Sequence, residues 1–141
     1  MHDVYYYHAL ANDAPSQLPN DLSRCMDKMD LRGPMLISPY DTSIQRGRPL
    51  VFEALAKSET VQNWRDHEGA SALHRIFGKN GATAHHVNVL CQHMDPNVTE
   101  YPSLDKPIHY AAWHGNKNGM LEALLAQPNI DVNAQTIEGT T

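Results

Sequence analysis

The apolar side chains of this chain recur in short stripes that are separated by polar turns. Within each stripe the spacing is close to i, i+3 and i+4, which predicts amphipathic helices that pack through one face. The stripes are Val51-Phe52-Leu55, Val87-Val89-Leu90-Cys91 and Leu121-Leu124-Leu125. The pattern therefore predicts an all-α chain of short helices joined by turns.

The turns between the stripes contain residues that start helices and close loops. Ser38, Ser71 and Thr141 lie where N-caps belong. Pro39 and Pro107 suit a first helical turn, because a missing N–H costs nothing there. The glycines expected at tight turns with positive φ are Gly47, Gly69 and Gly139.

The same sequence motif recurs along the chain at a nearly constant interval. His74 is followed by His109, and Asn97 by Asn133, with intervals in the mid-thirties. A period of this length is typical of solenoids, in which each unit buries its apolar face against its neighbours. The sequence therefore predicts stacked helical units.

The repeated motif resembles that of the ankyrin repeat family. The opening segments are Gly69-Ala70-Ser71-Ala72-Leu73-His74 and Lys106-Pro107-Ile108-His109, and the closing segments are Asp95-Pro96-Asn97-Val98 and Asp131-Val132-Asn133-Ala134. Ser38-Pro39-Tyr40-Asp41 opens an earlier, degenerate unit, in which Tyr40 and Asp41 replace the family's Leu and His. The resemblance implies an all-α solenoid of helix-turn-helix units with short β-turn fingers. Its units are expected at residues 33–65, 66–100 and 101–135, with a further unit starting at 136–141.

Residues 1–32 precede the repeats as an N-terminal extension. Asp21–Leu31 is predicted to be a helix with Leu22, Cys25, Met26 and Met29 on one face. We expect it to cover the exposed apolar end of the first repeat, as terminal solenoid units require. The alternative is a separate binding motif in the aromatic run Tyr5–Tyr7.

Composition narrows the class of protein. The chain has 141 residues, a hydrophobic content of 41% and a formal net charge of -5. The negative charge argues against nucleic acid or an anionic membrane as partner, and no apolar run approaches a membrane span. Only two cysteines are present, Cys25 and Cys91, which favours a reduced, cytoplasmic location.

Nine histidines raise the question of a metal site or a catalytic site. His85, His86, Cys91 and His93 cluster in sequence, but their spacing matches no common zinc pattern. Neither cysteine has the flanking residues of a thiol hydrolase, and no phosphate loop or nucleophile elbow is present. We therefore expect neither an enzyme nor a cofactor. The resemblance implies that His74 and His109 hydrogen-bond backbone groups in the adjoining turns.

The resemblance implies a module that binds a partner protein through fingertips and first helices, which form the family's concave surface. It places seven residues of this chain there: Arg46, His67, Glu68, Lys79, Tyr101, Trp113 and His114. Equivalent positions would align Arg46, Lys79 and His114 in one ridge. Trp113 is the expected hot spot, the alternative being that it packs into the core.

A function of another class also remains open. The chain could be the targeting segment of a larger enzyme, such as a bacterial effector acting in the cytosol of a host cell. Gly139-Thr140-Thr141 matches the start of a further repeat. We therefore expect the parent protein to extend past Thr141.

Overall fold

The structure is a computed structural model that describes residues 2–20, 22, 25, 26, 38–101 and 103–134. Within these ranges the chain forms eight α-helices and no β-strand, so the predicted all-α fold is confirmed. The chain divides into two compact units, residues 1–61 and 62–141. None of the helices described here has the length and apolar character needed to cross a membrane.

The first unit contains α1 (His2–Asn12), a 3-10 turn at Pro15–Gln17, α2 (Pro39–Gln45) and α3 (Pro49–Lys57). α2 packs against both α1 and α3. Tyr40 takes the position where the repeat places Leu, and its ring is buried with its centroid 5.6 Å from that of Phe52. The other large buried side chains of this unit include Tyr6, Leu10, Ile44, Val51 and Leu55. A short helix, α4 (Glu59–Asn63), follows along the chain.

Two reciprocal contacts fix α1 to α3. Asp13 follows α1, and its carboxylate accepts the N–H groups of Leu50 at 3.3 Å and Val51 at 3.0 Å. These are free donors at the start of α3, where Arg48 provides no side-chain cap. In return, the Arg48 guanidinium donates to the carbonyl of Leu10 near the end of α1. Each helix end is therefore satisfied by a residue from the other segment.

The second unit contains α5 (Ala72–Ile76), α6 (Ala84–His93), α7 (Pro107–His114), a 3-10 turn at Lys117–Gly119 and α8 (Met120–Leu125). α5 packs against α6, and α7 against α8. α5 also packs against α7, and α6 against α8. First helices thus stack on first helices and second helices on second helices, as in a solenoid. The core of the unit includes Leu73, Ile76, Phe77, Val87, Leu90, Ala111, Met120 and Leu124.

The predicted helix starts and turns are confirmed where the structure describes them. The Ser38 hydroxyl accepts the N–H of Asp41 at 3.1 Å, and Ser71 caps α5 in the same way. Pro39 and Pro107 lie in the first turns of α2 and α7. Gly47 and Gly69 have φ values of +66° and +87°. The expected cap at Thr141 and turn at Gly139 lie outside the described residues.

The N-terminal extension differs from the prediction. The helix expected at Asp21–Leu31 lies mostly outside the described residues, and Leu22, Cys25 and Met26 are not helical. The carbonyl of Cys25 instead accepts the N–H of Tyr40, so it bonds to a distant segment of the chain. Among the described residues, α1 also packs on α2, and the sequence analysis did not predict this helix.

Three apolar positions are less buried than their stripes predicted. Cys91 and Leu121 are half-buried, whereas Val87 and Leu90 are fully buried. Leu125 is 42% exposed at the end of α8, whereas Leu124 is fully buried.

Candidate partner-binding surface

The fingers of the second unit are tight turns organised by acidic side chains. In the first finger, residues 66–70, one Asp66 carboxylate oxygen accepts the N–H groups of Glu68 and Ala70, both at 2.9 Å. The backbone of Asp66 also pairs with Ala70 and Gly69. Burial alone would raise the pKa of Asp66, but these bonds and the Arg75 guanidinium lower it below its ordinary value. The carboxylate is therefore ionised at neutral pH and holds the turn closed.

The second finger, residues 100–105, is one residue longer at its tip. Glu100 takes the place of Asp66, and its longer side chain accepts the Ser103 hydroxyl at 2.6 Å. Its backbone pairs with Asp105 at 2.7 Å and Leu104 at 2.8 Å. Leu104 has a φ of +65°, the left-handed conformation that Gly69 adopts in the first finger. The second finger therefore presents a leucine, 37% exposed, where the first has only a glycine.

Each finger is tied to the first helix of its own repeat. Arg75 on α5 donates to the second carboxylate oxygen of Asp66 at 2.6 Å. The equivalent residue of α7, Tyr110, donates its hydroxyl to Glu100 at 2.6 Å. The Arg75 guanidinium lies 5.5 Å from the centre of the Tyr110 ring, which joins the two pairs. This network fixes the fingers relative to α5 and α7.

The motif histidines also bind the fingers, which confirms the role that the resemblance implied. His74 is fully buried, and its Nδ1 accepts the N–H of Ser71 at 3.1 Å. Because Nδ1 is an acceptor, the proton lies on Nε2, which donates to the carbonyl of Asp105 at 2.9 Å. His109 repeats the arrangement, with Nδ1 accepting the N–H of Lys106 at 2.9 Å and Nε2 lying 3.1 Å from the carbonyl of Ala134.

The two fingertips and the two first helices are in direct contact. A Cβ on Gly69 would lie 2.6 Å from the carbonyl oxygen of Tyr101, so the backbone of the second tip lies directly against the first. At the other end of the helices, the His114 ring lies against Gly78, where a Cβ would be 3.3 Å from two ring atoms. We call the surface formed by residues 66–70, residues 100–105 and the exposed side chains of α5 and α7 the finger face.

Most of the predicted binding residues lie on or beside the finger face. Trp113 is 87% exposed on α7, so the alternative of a core tryptophan is wrong. Tyr101 is 69% exposed at the second tip, and His67 and Glu68 are exposed at the first.

The predicted basic ridge is described only in part. His114 is exposed and lies against Gly78, the residue before the half-buried Lys79. Arg46 is exposed at the end of α2, in the first unit. Alignment of all three residues in one ridge stays a prediction.

The sequence analysis missed the residues that hold the finger face together. Arg75 and Tyr110 each follow a motif histidine, and Asp66 and Glu100 each lie three residues after an asparagine, Asn63 and Asn97. Comparing these equivalent positions between repeats would have identified both pairs. Glu100 is 4% exposed, which the polar composition of its finger did not indicate.

Among the described residues, the histidines and cysteines outside the motif do not form a metal site. The imidazole of His86 accepts the N–H of Thr83 at 3.0 Å, and so it is engaged by its own helix start. In the part of the chain that the structure describes, no three His, Cys, Asp or Glu side chains come together as metal ligands would. Burial and the nearby Asp95 raise the pKa of the Cys91 thiol to about 12, which disfavours the thiolate that nucleophilic chemistry needs.

Comparison with known protein families identifies the class of this chain. A family model described as ankyrin repeats, in three copies, matches residues 42–136. The chain therefore belongs to the ankyrin repeat family. Ankyrin repeats are generally modules for protein–protein interaction and are generally not catalytic. A search of curated proteins found no match to the chain.

Proposed function

We propose that this chain binds a partner protein through the finger face, with Trp113 and Tyr101 as its anchors. The observation that carries the proposal is the exposure of Trp113, which is 87% accessible in the middle of a folded repeat. A monomeric protein gains nothing from a tryptophan in water, whereas buried tryptophans and tyrosines supply much of the energy of many interfaces.

The rigidity of the surroundings also supports this proposal. Trp113 lies three residues after Tyr110 on α7, and positions i and i+3 of a helix share one face. Tyr110 is fixed by Glu100, and Glu100 closes the finger that carries Tyr101. The backbone segments that carry both anchors are therefore held in place before a partner arrives, which lowers the entropy that binding must overcome.

The test is quantitative capture with matched variants. Wild type, Trp113→Ala and Leu50→Ala would be used as baits in eukaryotic and bacterial lysates, followed by titration of a purified captured protein. Leu50 is a suitable control because it is also an exposed apolar side chain, 55% accessible, but lies on α3 outside the finger face. We expect Trp113→Ala to weaken binding by about 2 kcal/mol, roughly thirtyfold, with little change in melting temperature. Equal affinity of wild type and Trp113→Ala would contradict the proposal.

We also propose that the protein works in the cytoplasm, whether of its own cell or of a host. Cys25 is buried, Cys91 is half-buried, and no disulfide joins them. Cysteines that stay out of disulfides are most common in a reducing compartment. Microscopy of the full-length protein with a fluorescent tag would test this, and accumulation in an oxidising compartment would contradict it.

A further inference from the structure

Both helices of the α5–α6 pair have a histidine in their first turn. His74 and His86 occupy the third helical position, where a capping box usually has Glu or Gln. Each imidazole accepts the N–H of the residue that precedes its helix, Ser71 at 3.1 Å and Thr83 at 3.0 Å. The hydroxyls of the same two residues lie 2.8 Å and 3.1 Å from these Nδ1 atoms.

The bonds from the two backbone N–H groups require neutral imidazoles. Nδ1 accepts a backbone N–H only through its lone pair, and protonation replaces that lone pair with a second donor. Two donors would then face each other at the start of each helix. The added positive charge would also lie at helix N-termini, where the helix dipole disfavours cations. Glu or Gln at the same position would suffer neither effect.

The groups that face the His74 imidazole shift its pKa in opposite directions. Around His74, the burial of the ring has the largest effect and lowers its pKa, and the charges of Arg65 and Arg75 act in the same direction. The bond to the carbonyl of Asp105 and the carboxylate of Glu100 oppose this shift, and the Tyr110 ring lies edge-on at 5.2 Å. The net pKa of His74 lies below its ordinary value of 6.5.

The pKa of His86 is also lowered. Burial of its ring is the larger cause, and the neighbouring His85, with its ring centroid 5.9 Å away, is the second.

We propose that His74 and His86 form an acid-sensitive latch, which holds the α5–α6 pair closed at neutral pH and releases it in mildly acidic solution. His74 extends the effect to the second finger, because its Nε2–H donates to the carbonyl of Asp105. Both residues are at most 8% exposed, so protonation requires the helix starts to open. If the proposed function is correct, the partner would be released in the same pH range, since the second finger carries Tyr101.

The sign of the pH dependence follows from linkage. A histidine whose folded pKa is below its unfolded value of 6.5 binds its proton more readily in the unfolded chain. Its contribution to stability is therefore complete above pH 6.5 and is lost as the pH falls through the lowered folded pKa. The latch opens on the acid side of neutrality.

The experiment compares thermal unfolding of wild type with His→Gln variants at about pH 7.5 and about pH 5.5. Glutamine keeps the acceptor of a capping box but does not titrate. We expect the wild-type melting temperature to fall by about 4 °C or more on acidification, and the fall to shrink by at least half in His74→Gln/His86→Gln. His67→Gln, which changes a side chain that is 88% exposed, should fall as wild type does. An equal fall in wild type and in the double variant would overturn the proposal.

Two further measurements keep the test decisive if the double variant does not fold. His86→Gln alone should then show a smaller fall than wild type, and a fall equal to that of wild type would overturn the proposal. The imidazole nitrogen spectrum of wild type should show both rings protonated on Nε2 alone near neutral pH. A protonated Nδ1 on either ring under those conditions would also overturn it. None of these measurements needs a binding partner, so the latch and the proposed function can fail separately.

Discussion

Replacing Gly69 with alanine tests the contact between the two fingers, on which the finger face depends. Gly69 has a φ of +87°, and a Cβ there would lie 2.6 Å from the carbonyl oxygen of Tyr101 and 3.4 Å from its nitrogen. The left-handed backbone alone costs an L residue about 1–2 kcal/mol. The close approach is to backbone atoms, so the second finger must shift, which costs about 1–3 kcal/mol more. We expect Gly69→Ala to lower the free energy of unfolding by about 3 kcal/mol.

Gly47→Ala is the matched control, because it separates the two costs. Gly47 has a φ of +66°, and a Cβ added there meets nothing within 4 Å. It should therefore lose only the backbone contribution, about 1–2 kcal/mol. Urea denaturation followed by circular dichroism measures both variants on one scale. Equal losses in the two variants would show that the fingers do not touch in solution as they do in the structure, and would refute the reasoning.

Substitutions at three other residues test contacts that stabilise the two units. His109→Ala removes two hydrogen bonds, to Lys106 and Ala134, and should cost about 2 kcal/mol in urea denaturation; an unchanged curve would contradict this role. Asp13→Ala leaves two N–H groups of α3 without an acceptor and should cost about 1 kcal/mol, while Asp13→Asn should cost less; equal costs would show that the capping oxygen is unimportant. Leu104→Gly removes the strain of a leucine with positive φ and should raise the free energy of unfolding by up to about 1 kcal/mol. A clear loss of stability would mean that the Leu104 side chain stabilises the finger.

The repeat period, together with the residues that start helices and form turns, was enough to predict the stacked helix pairs. Pro107, Ser71 and Gly69 each act through local backbone chemistry, which is why their positions in the structure match those expected from the sequence. The outward position of Trp113 followed from its register in the repeat. These features depend on neighbours close in sequence or on strict periodicity.

The features that the sequence analysis missed depend on contacts between distant residues. α1 buries Tyr6, Ala9 and Leu10 at helical spacing, but the surrounding aromatic run concealed this stripe. Asp13 caps the start of α3, and Arg48 bonds to the carbonyl of Leu10 on α1, only because the two segments are adjacent in space.

The pairing of Tyr110 with Glu100 likewise crosses from a first helix to a finger. Nothing in the local sequence of either residue indicates the other. Equivalent positions in two repeats would have to be compared before such a pair could be predicted.

The most direct test of the central claim is side-chain footprinting of the chain alone and bound to a captured partner. Hydroxyl radicals oxidise exposed aromatic side chains, and Trp113 and Tyr101 are 87% and 69% exposed in the free protein. The partner is predicted to protect both residues, while Val132, which is 57% exposed outside the finger face, should remain as reactive as before. A saturated complex in which Trp113 and Tyr101 are oxidised at their free rates would contradict binding through the finger face.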